Sequence, residues 1–475
     1  MERLSPLDAL FLQSDSPTVP RQVATLAILE PSDGQLDYDR LLRVIDERID
    51  LVPRYRQVPR HVPGRIGAPV WADDENFDIT VHVRRSALPS PGTRQALHEL
   101  AGRLIARRLD LDRPLWELYL IEGLEGGEVA LLFKGHQALI DGSDTVDIAQ
   151  VLLEEAAHVR EIPHEEWVPR PSPGLVSLTA STVNHAVSHP GEALRTVERV
   201  AGRVARHLPI VGASTPPSIG VLSAEPSRHR RFATVSVSFD DLRKVREAQG
   251  GRNGPSVNDI VLASIAGGLR GWMLTRAEPV TPKTSFRALV PMSITSGEGS
   301  DGAPTAMGST VKGHLVSLPV GESNPVVRLH QVAYALKDHR ETGKAVAAGE
   351  LARLPGYTTS TFHAVGARVA MTEAGRDHHI TITYVPGPAD PVYLAGQQVG
   401  EVYSAIPLHG NRALSLAVTS YNGRVFYGLV GDRDAVPDLD VLAQCVVESV
   451  EELIEASKPS RGRAPRGRAR PKKDE

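Results

Sequence analysis

The stretch Glu117–Leu153, ELYLIEGLEGGEVALLFKGHQALIDGSDTVDIAQVLL, reads as strand, turn, strand, tight turn and helix. Val129 to Phe133 form an apolar run of strand length. Asp141-Gly142 is a turn dipeptide, and Ser143 can cap a helix whose apolar face is Val146, Ala149, Leu152 and Leu153. His136 and Asp141 therefore fall between a strand and a helix, where rigid elements can hold an imidazole and a carboxylate beside a cleft. Adjacent residues leaving a strand point to opposite sides, so His136 and Gln137 reach different surroundings.

Composition bounds the class. Of 475 residues, 41% are apolar and 23% charged, which suits a globular chain of two or three domains and excludes a fibrous or largely disordered one. No run of roughly 18 uncharged apolar residues occurs, and Met1-Glu2-Arg3 leads directly into patterned sequence. The expectation is a cytoplasmic protein without a transmembrane helix or secretory signal. The single cysteine, Cys445, lies in the apolar run VLAQCVV and reads as a core residue; no internal disulfide can form.

A histidine followed by DG five residues later is a common pattern in a chain with 17 histidines, so the flanks decide its meaning. Arg113-Pro114-Leu115-Trp116, then Ile121-Glu122-Gly123-Leu124, then KGHQALIDG resembles the bacterial wax ester synthase/diacylglycerol acyltransferase family, with its PLW, IEGL and K-x-HHA-x-x-DG blocks. LSPLDALFL from Leu4, VNDIVLA from Val257, RALVPMSI from Arg287, VPGP from Val385 and DAVPDLDVLA from Asp434 extend the likeness in order from Leu4 to about Ile454.

The resemblance implies an α/β fold of two chloramphenicol-acetyltransferase-like lobes, with mixed sheets flanked by helices and the motif in a channel between them. It implies transfer of a long acyl chain from acyl-CoA to diacylglycerol or a fatty alcohol, with no metal or prosthetic group. Catalytic positions carried over are His136, Gln137, Asp141 and Gly142; Asn258 and Asp259 fall near the cleft. The family's second histidine, its general base, falls on Gln137, and an amide cannot accept a hydroxyl proton and return it. Reduced activity is the expectation. The alternative is a catalytically silent member that binds acyl-CoA or lipid, or regulates an active paralogue. Two further positions depart from the family's asparagines, at Gly308-Ser309 and at Tyr384. No GxSxG elbow suggests an acyl-serine route. A condensation-type domain shares the histidine motif, but the PLW, IEGL and VPGP blocks speak against it.

Support roles follow from the same blocks. Trp116 shapes the strand beside the motif. Asp141 anchors its turn through an arginine, with Arg287 as the candidate partner. On residue pattern alone, Ser256 or Asn258 caps the long helix, and Asn258 and Asp259 at its start read as caps.

Along the chain, a strand over Gln22–Leu29, a helix over Tyr38–Ile49 and a helix from Thr93 to about Arg108 alternate as in an α/β domain. A second α/β half begins near Arg231, with a strand over Phe232–Phe239, a helix from Asp240 and a longer helix over Ser256–Arg276. The expected division is 1–160 for the first lobe, 161–222 for a Pro-rich linker and crossover helix, 223–457 for the second lobe and 458–475 for a disordered tail. His185 and His189 stand four apart but lack the glutamate of an HExxH site, so no metal is expected. The helix pattern over 194–208 reads as packed on the protein rather than on a membrane. The GxGxxG run from Gly297 to Gly302 precedes Ala303-Pro304 and reads as a loop, not a nucleotide site.

The tail KPSRGRAPRGRARPKKDE carries eight Lys or Arg against two acids, so under a formal net charge of −4 the remainder has a surplus of ten acids. A basic tail on an acidic body suits an anionic membrane or lipid-inclusion surface; lacking aromatic residues to stack bases, it is not expected to bind nucleic acid. Full-length protein should bind anionic vesicles at low salt more tightly than a chain ending at residue 457, each basic residue near the surface contributing on the order of 1 kcal/mol. High salt should erase the difference. Equal vesicle binding at low ionic strength would leave the tail a solvated extension.

Overall fold

The computed structural model describes residues 2–32, 34, 36–62, 68–140, 148–157, 167–171, 174, 220–295, 303–304, 309–343, 359–372 and 378–458. Asp141, Gly142, Ser143, His185, His189, the 194–208 pattern, the Gly297–Gly302 run, Gly308 and the tail after Lys458 lie outside them.

In chain order the elements that build the two lobes are α1 (Pro6–Ser14), β1 (Gln22–Leu29), α2 (Tyr38–Arg48), β2 (Val83–Ala87), α3 (Arg94–Ala106), β3 (Trp116–Glu122), β4 (Val129–His136), α4 (Ile148–Leu152) and β5 (Leu153–Glu154). They continue with β6 (Arg230–Ser238), α5 (Phe239–Ala248), α6 (Val257–Thr275), β7 (Phe286–Thr295), β8 (Ala303–Pro304), β9 (Ser309–Leu318), α7 (Pro325–Gly343) and α8 (Thr359–Thr372). Last come β10 (Ile380–Pro386), β11 (Tyr393–Leu394), β12 (Gln397–Ala405), β13 (Leu414–Tyr421), β14 (Arg424–Asp432) and α9 (Leu439–Ser457).

These strands make two seven-stranded mixed sheets, ordered β2-β3-β4-β1-β12-β11-β5 and β8-β9-β7-β10-β13-β14-β6. The fold is two-lobed α/β. Strands β11 and β12, from the second half of the chain, join the first sheet. There β12 runs antiparallel to β1, pairing Ala24 with Ala405 and Leu26 with Tyr403. Sequence alternation marks a strand but not its sheet, so this crossing was not visible beforehand.

The helices form where periodicity and caps coincide. Thr93 caps α3 by accepting from the Ala96 N–H at 3.2 Å, and Leu97, Ala101 and Ile105 are buried along one face. Ser256 and Asp259 form a reciprocal capping box at the start of α6, a helix buried from Asp259 through Leu269. Cys445 is buried on α9 within the second core.

Strand β14 serves both lobes. Phe426 and Val430 belong to the first core, whereas Val425, Tyr427 and Leu429 belong to the second, as period-two alternation requires of a strand covered on both faces. The lobes meet closely enough to forbid a side chain at two points. A Cβ on Gly428 would lie 2.0 Å from the Ser404 carbonyl oxygen of β12, and one on Gly102 of α3 would lie 2.8 Å from the Arg230 carbonyl oxygen.

Gly428→Ala should therefore push backbone against backbone and lower stability by about 1–3 kcal/mol, read as a lower urea midpoint. Gly220→Ala, where an added Cβ meets nothing within 4 Å, should stay within about 0.5 kcal/mol of the parent.

Candidate functional site

The motif begins inside β4 and runs off its end. The register sets Gln22 opposite His136 and Ala24 opposite Lys134, so Lys134 and His136 share one face of the sheet. On that face the Lys134 ammonium, fully buried, donates to Glu117 Oε2 at 3.0 Å and to the Arg107 carbonyl at 2.9 Å. Burial would raise the Glu117 carboxyl, but Lys134, Tyr119 and Arg84 together hold it below the usual carboxylate range.

His136 is buried, and its backbone N–H donates to the Leu115 carbonyl at 2.9 Å. Its Nδ1 accepts the Ala138 N–H at 3.0 Å, which fixes the neutral ring with its proton on Nε2. Desolvation, reinforced by the positive charges of Arg21, Arg108 and Arg368, lowers its pKa to about 3. Among the described residues, Nε2–H has no hydrogen-bond partner.

Gln137 is held by its backbone at both ends. Its N–H donates to the Arg21 carbonyl at 2.8 Å, and its carbonyl accepts from Arg368 Nη1 at 2.6 Å. The side chain is fully buried, yet neither the amide oxygen nor the amide nitrogen has a partner among the described residues. Buried polar groups are nearly always satisfied, so such an amide at the end of a rigid strand is a candidate for contact with a ligand.

Arg368 comes from α8 in the second half of the chain. Its guanidinium lies 2.6 Å from Asp8 Oδ1 on α1 and 4.8 Å above the Phe11 ring, with both charged side chains buried. A second imidazole, His409, follows β12. Arg21 Nη1 donates to its Nδ1 at 3.2 Å, and a guanidinium can only donate, so this ring too carries its proton on Nε2. Desolvation, then Arg21, His378 and Arg412, holds its pKa far below the ordinary value, and its buried Nε2 lacks a partner among the described residues. His363 on α8 differs, because its nitrogens bond Thr383 Oγ1 at 2.6 Å and Thr419 Oγ1 at 2.8 Å, which satisfies the ring within the core.

The site thus holds hydrogen-bond donors. His136 and His409 present N–H groups, and Gln137 adds an amide that can donate and accept. A general base needs an unprotonated nitrogen facing the substrate hydroxyl; neither imidazole offers one in this tautomer. Among the described residues no group of three or more His, Cys, Asp or Glu is placed to hold a metal ion, and no helix is long and apolar enough to cross a membrane.

Of the other sequence-selected residues, Trp116 is fully buried, donates from Nε1 to the Tyr55 carbonyl at 2.7 Å and stacks on His82. Asp259 accepts from the Ser256 N–H at 2.7 Å as a cap, and the Asn258 side-chain oxygen beside it is buried without a partner among the described residues. Tyr384 packs against the second core. Arg287 is exposed on β7, where its N–H donates to His379 Nδ1, while Asp141 lies outside the described residues. Among the described residues, Arg368 reaches the motif through the Gln137 carbonyl. Sequence reasoning missed Arg21, Arg368 and His409. Arg21 precedes a recognised strand, and Arg368 sits in an apolar helical stretch, GARVAM, where a lone cation was the available signal.

The wax ester synthase/diacylglycerol acyltransferase catalytic-domain model matches residues 4–261, and the C-terminal domain model of the same family matches residues 307–454. A probable diacylglycerol O-acyltransferase of Mycobacterium tuberculosis is 42% identical over 258 residues, which is 51% of this chain and 95% of that protein. Another from Mycobacterium tuberculosis is 31% identical over 466 residues, 96% of this chain and 99% of that one. Among solved structures, the wax ester synthase/diacylglycerol acyltransferase from Marinobacter aquaeolei VT8 superposes with a TM-score of 0.65 at 24% identity, covering 96% of this chain and 99% of that one. The first condensation domain of the CDA synthetase gives a TM-score of 0.52 at 13% identity, covering 96% of each chain. Both structures support the two-lobed fold.

Arg368→Met should cost about 3–5 kcal/mol in chemical denaturation, because it strands a buried Asp8 carboxylate. Adding Asp8→Asn should recover part of that loss. Strictly additive losses in the double-mutant cycle would mean that the two side chains do not act as a pair.

Proposed function

The chain belongs to the wax ester synthase/diacylglycerol acyltransferase family, and on that premise we propose that it transfers a long acyl chain from coenzyme A to the hydroxyl of diacylglycerol or a fatty alcohol, at a reduced rate. The alcohol oxygen attacks the thioester carbonyl, the ester forms, the carbon–sulfur bond breaks, and the hydroxyl proton ends on the departing thiolate. The His136 Nε2–H supplies a hydrogen bond to the developing oxyanion, and the Gln137 amide, leaving the strand on its other side, orients the incoming hydroxyl through its oxygen. No metal or prosthetic group enters this scheme. Asp141 and Gly142 keep their proposed role of shaping the motif turn, and Asn258 and Asp259 their proposed place near the acceptor. The site of action we propose is peripheral, at a membrane or lipid inclusion, with the basic tail as the contact.

The observation that carries the reduced rate is the buried amide of Gln137, without a hydrogen-bond partner among the described residues, next in sequence to an imidazole locked as a donor. A positioned general base is worth about 10²–10⁴-fold, and nothing in the described site replaces it. The same observation favours a second reading, a silent member that binds acyl-CoA or lipid or regulates an active paralogue.

Free-thiol release from palmitoyl-CoA with diacylglycerol distinguishes the two. Slow turnover by the parent protein is expected, and Gln137→His should raise it at least tenfold. The gain should disappear as pH falls through the new imidazole's pKa, because the protonated ring cannot act as base. Burial and the neighbouring guanidiniums should set that limb at or below the ordinary value of about 6.5. Absent turnover in both proteins, with acyl-CoA still binding, would establish the silent reading. A parent rate equal to that of a relative with both histidines would show that Gln137 does not limit the chemistry.

A further inference from the structure

The C-terminal end of α3 runs into the block that precedes β3, and between them lies a cavity of about 270 Å3 lined by Arg84, Arg107, Arg108 and Arg113, with Pro114 and Trp116. With Lys134 bound to the cavity's Glu117, five cations meet here and three carboxylates answer them. Glu117 takes Lys134 at 3.0 Å and Arg84 at 3.2 Å, and Asp15 takes Arg108 at 2.7 Å. Asp110 lies 3.5 Å from Arg113, both about half exposed, so that pair contributes little and opens readily. Among the described residues Arg107 has no carboxylate partner. Counting contacting pairs, the surplus is two positive charges, with the Asp78 carboxylate in the field of Arg113 but not in contact with it.

These arginines are not needed to complement the end of the helix. A helix C-terminus draws cations to its free carbonyls, but Gln22 Nε2 already bonds the Ile105 and Arg107 carbonyls, at 2.6 and 2.8 Å, and Lys134 bonds the Arg107 carbonyl as well. The cavity also adjoins the motif, since the Leu115 carbonyl, between Pro114 and Trp116, holds the His136 N–H.

We propose that this cavity binds the 3′-phosphorylated nucleotide end of the coenzyme A thioester donor. A phosphomonoester carries close to two negative charges at neutral pH, matching the surplus, and guanidinium forks bind phosphate oxygens in pairs. Drug-sized ligands fill about 300–1,000 Å3, so a cavity of this size holds one end of the donor and leaves the acyl chain elsewhere. The assignment rests on the donor being a coenzyme A thioester, as proposed above.

The test is calorimetric titration of the full-length chain with adenosine 3′,5′-bisphosphate. One saturable site is expected, weakened at least tenfold in Arg107→Ala/Arg113→Ala. Adenosine 5′-monophosphate, lacking the 3′-phosphate, should bind the parent at least tenfold more weakly and be indifferent to the substitutions. Both arginines are substantially exposed, so the thermal melt should not move. No saturable binding by the parent, or equal binding by the double variant, overturns the assignment. So does a double variant that loses binding to phosphatidic acid vesicles but not to the bisphosphate, because the cavity would then be a lipid headgroup site. Thiol release is read separately: arginine-dependent nucleotide binding without turnover sustains the cavity and sinks the proposed reaction, while turnover with arginine-independent binding does the reverse.

Discussion

A single buried guanidinium, that of Arg368, joins three segments that lie far apart in the chain. It neutralises Asp8 on the first helix, covers the Phe11 ring and holds the Gln137 carbonyl where β4 gives way to the motif. A charge removed from water costs several kcal/mol unless a partner and hydrogen bonds compensate it. Here the compensation is supplied by the opening helix and by the motif itself, so α8 cannot sit on the first lobe without fixing both. The position of Gln137 is thus a consequence of how the two halves of the chain pack.

The electrostatic setting of the site follows from that packing. Arg21, Arg108 and Arg368 surround His136 with positive charge in a desolvated space, and a neutral ring is the outcome. Neutrality alone does not make a base. Because a backbone N–H occupies Nδ1 of His136 and a guanidinium occupies Nδ1 of His409, both rings turn a proton toward the interior. A site of this kind is suited to stabilising negative charge on oxygen. Proton abstraction would require a nitrogen held the other way round, with its partner nitrogen donating to a carbonyl or carboxylate.

Much of the framework was legible in the sequence because local signals agreed with one another. The Gln22–Leu29 strand has the expected bounds, the helix begun by Thr93 presents its apolar face to the core, and Ser256 caps the long helix that follows. The motif's place at the end of a strand was legible for the same reason. Long-range choices were not. Nothing in QQVGEVYSA tells that it pairs with β1, and nothing in PLHGN marks His409 as a neighbour of Arg21. Arg368 was hidden because a charge in a helix is ordinarily solvated, and its burial depends on Asp8 arriving from the other end of the chain. Arg287, the cation selected from its motif, lies exposed on β7, and its expected partner Asp141 lies outside the described residues.

The insertion of β12 into the first sheet bears on how the chain is made. Ala24 pairs with Ala405, a separation of 381 residues, and the flank of β1 that β12 covers stays open until that segment has left the ribosome. Contacts of such span are slow to form, and an unpaired strand edge is a template for association with other chains. The first lobe must therefore wait, partly built and exposed along β1, through most of synthesis. Removing β12 would leave the β1 flank an unpaired strand edge, so the first sheet is not an independent half of the chain.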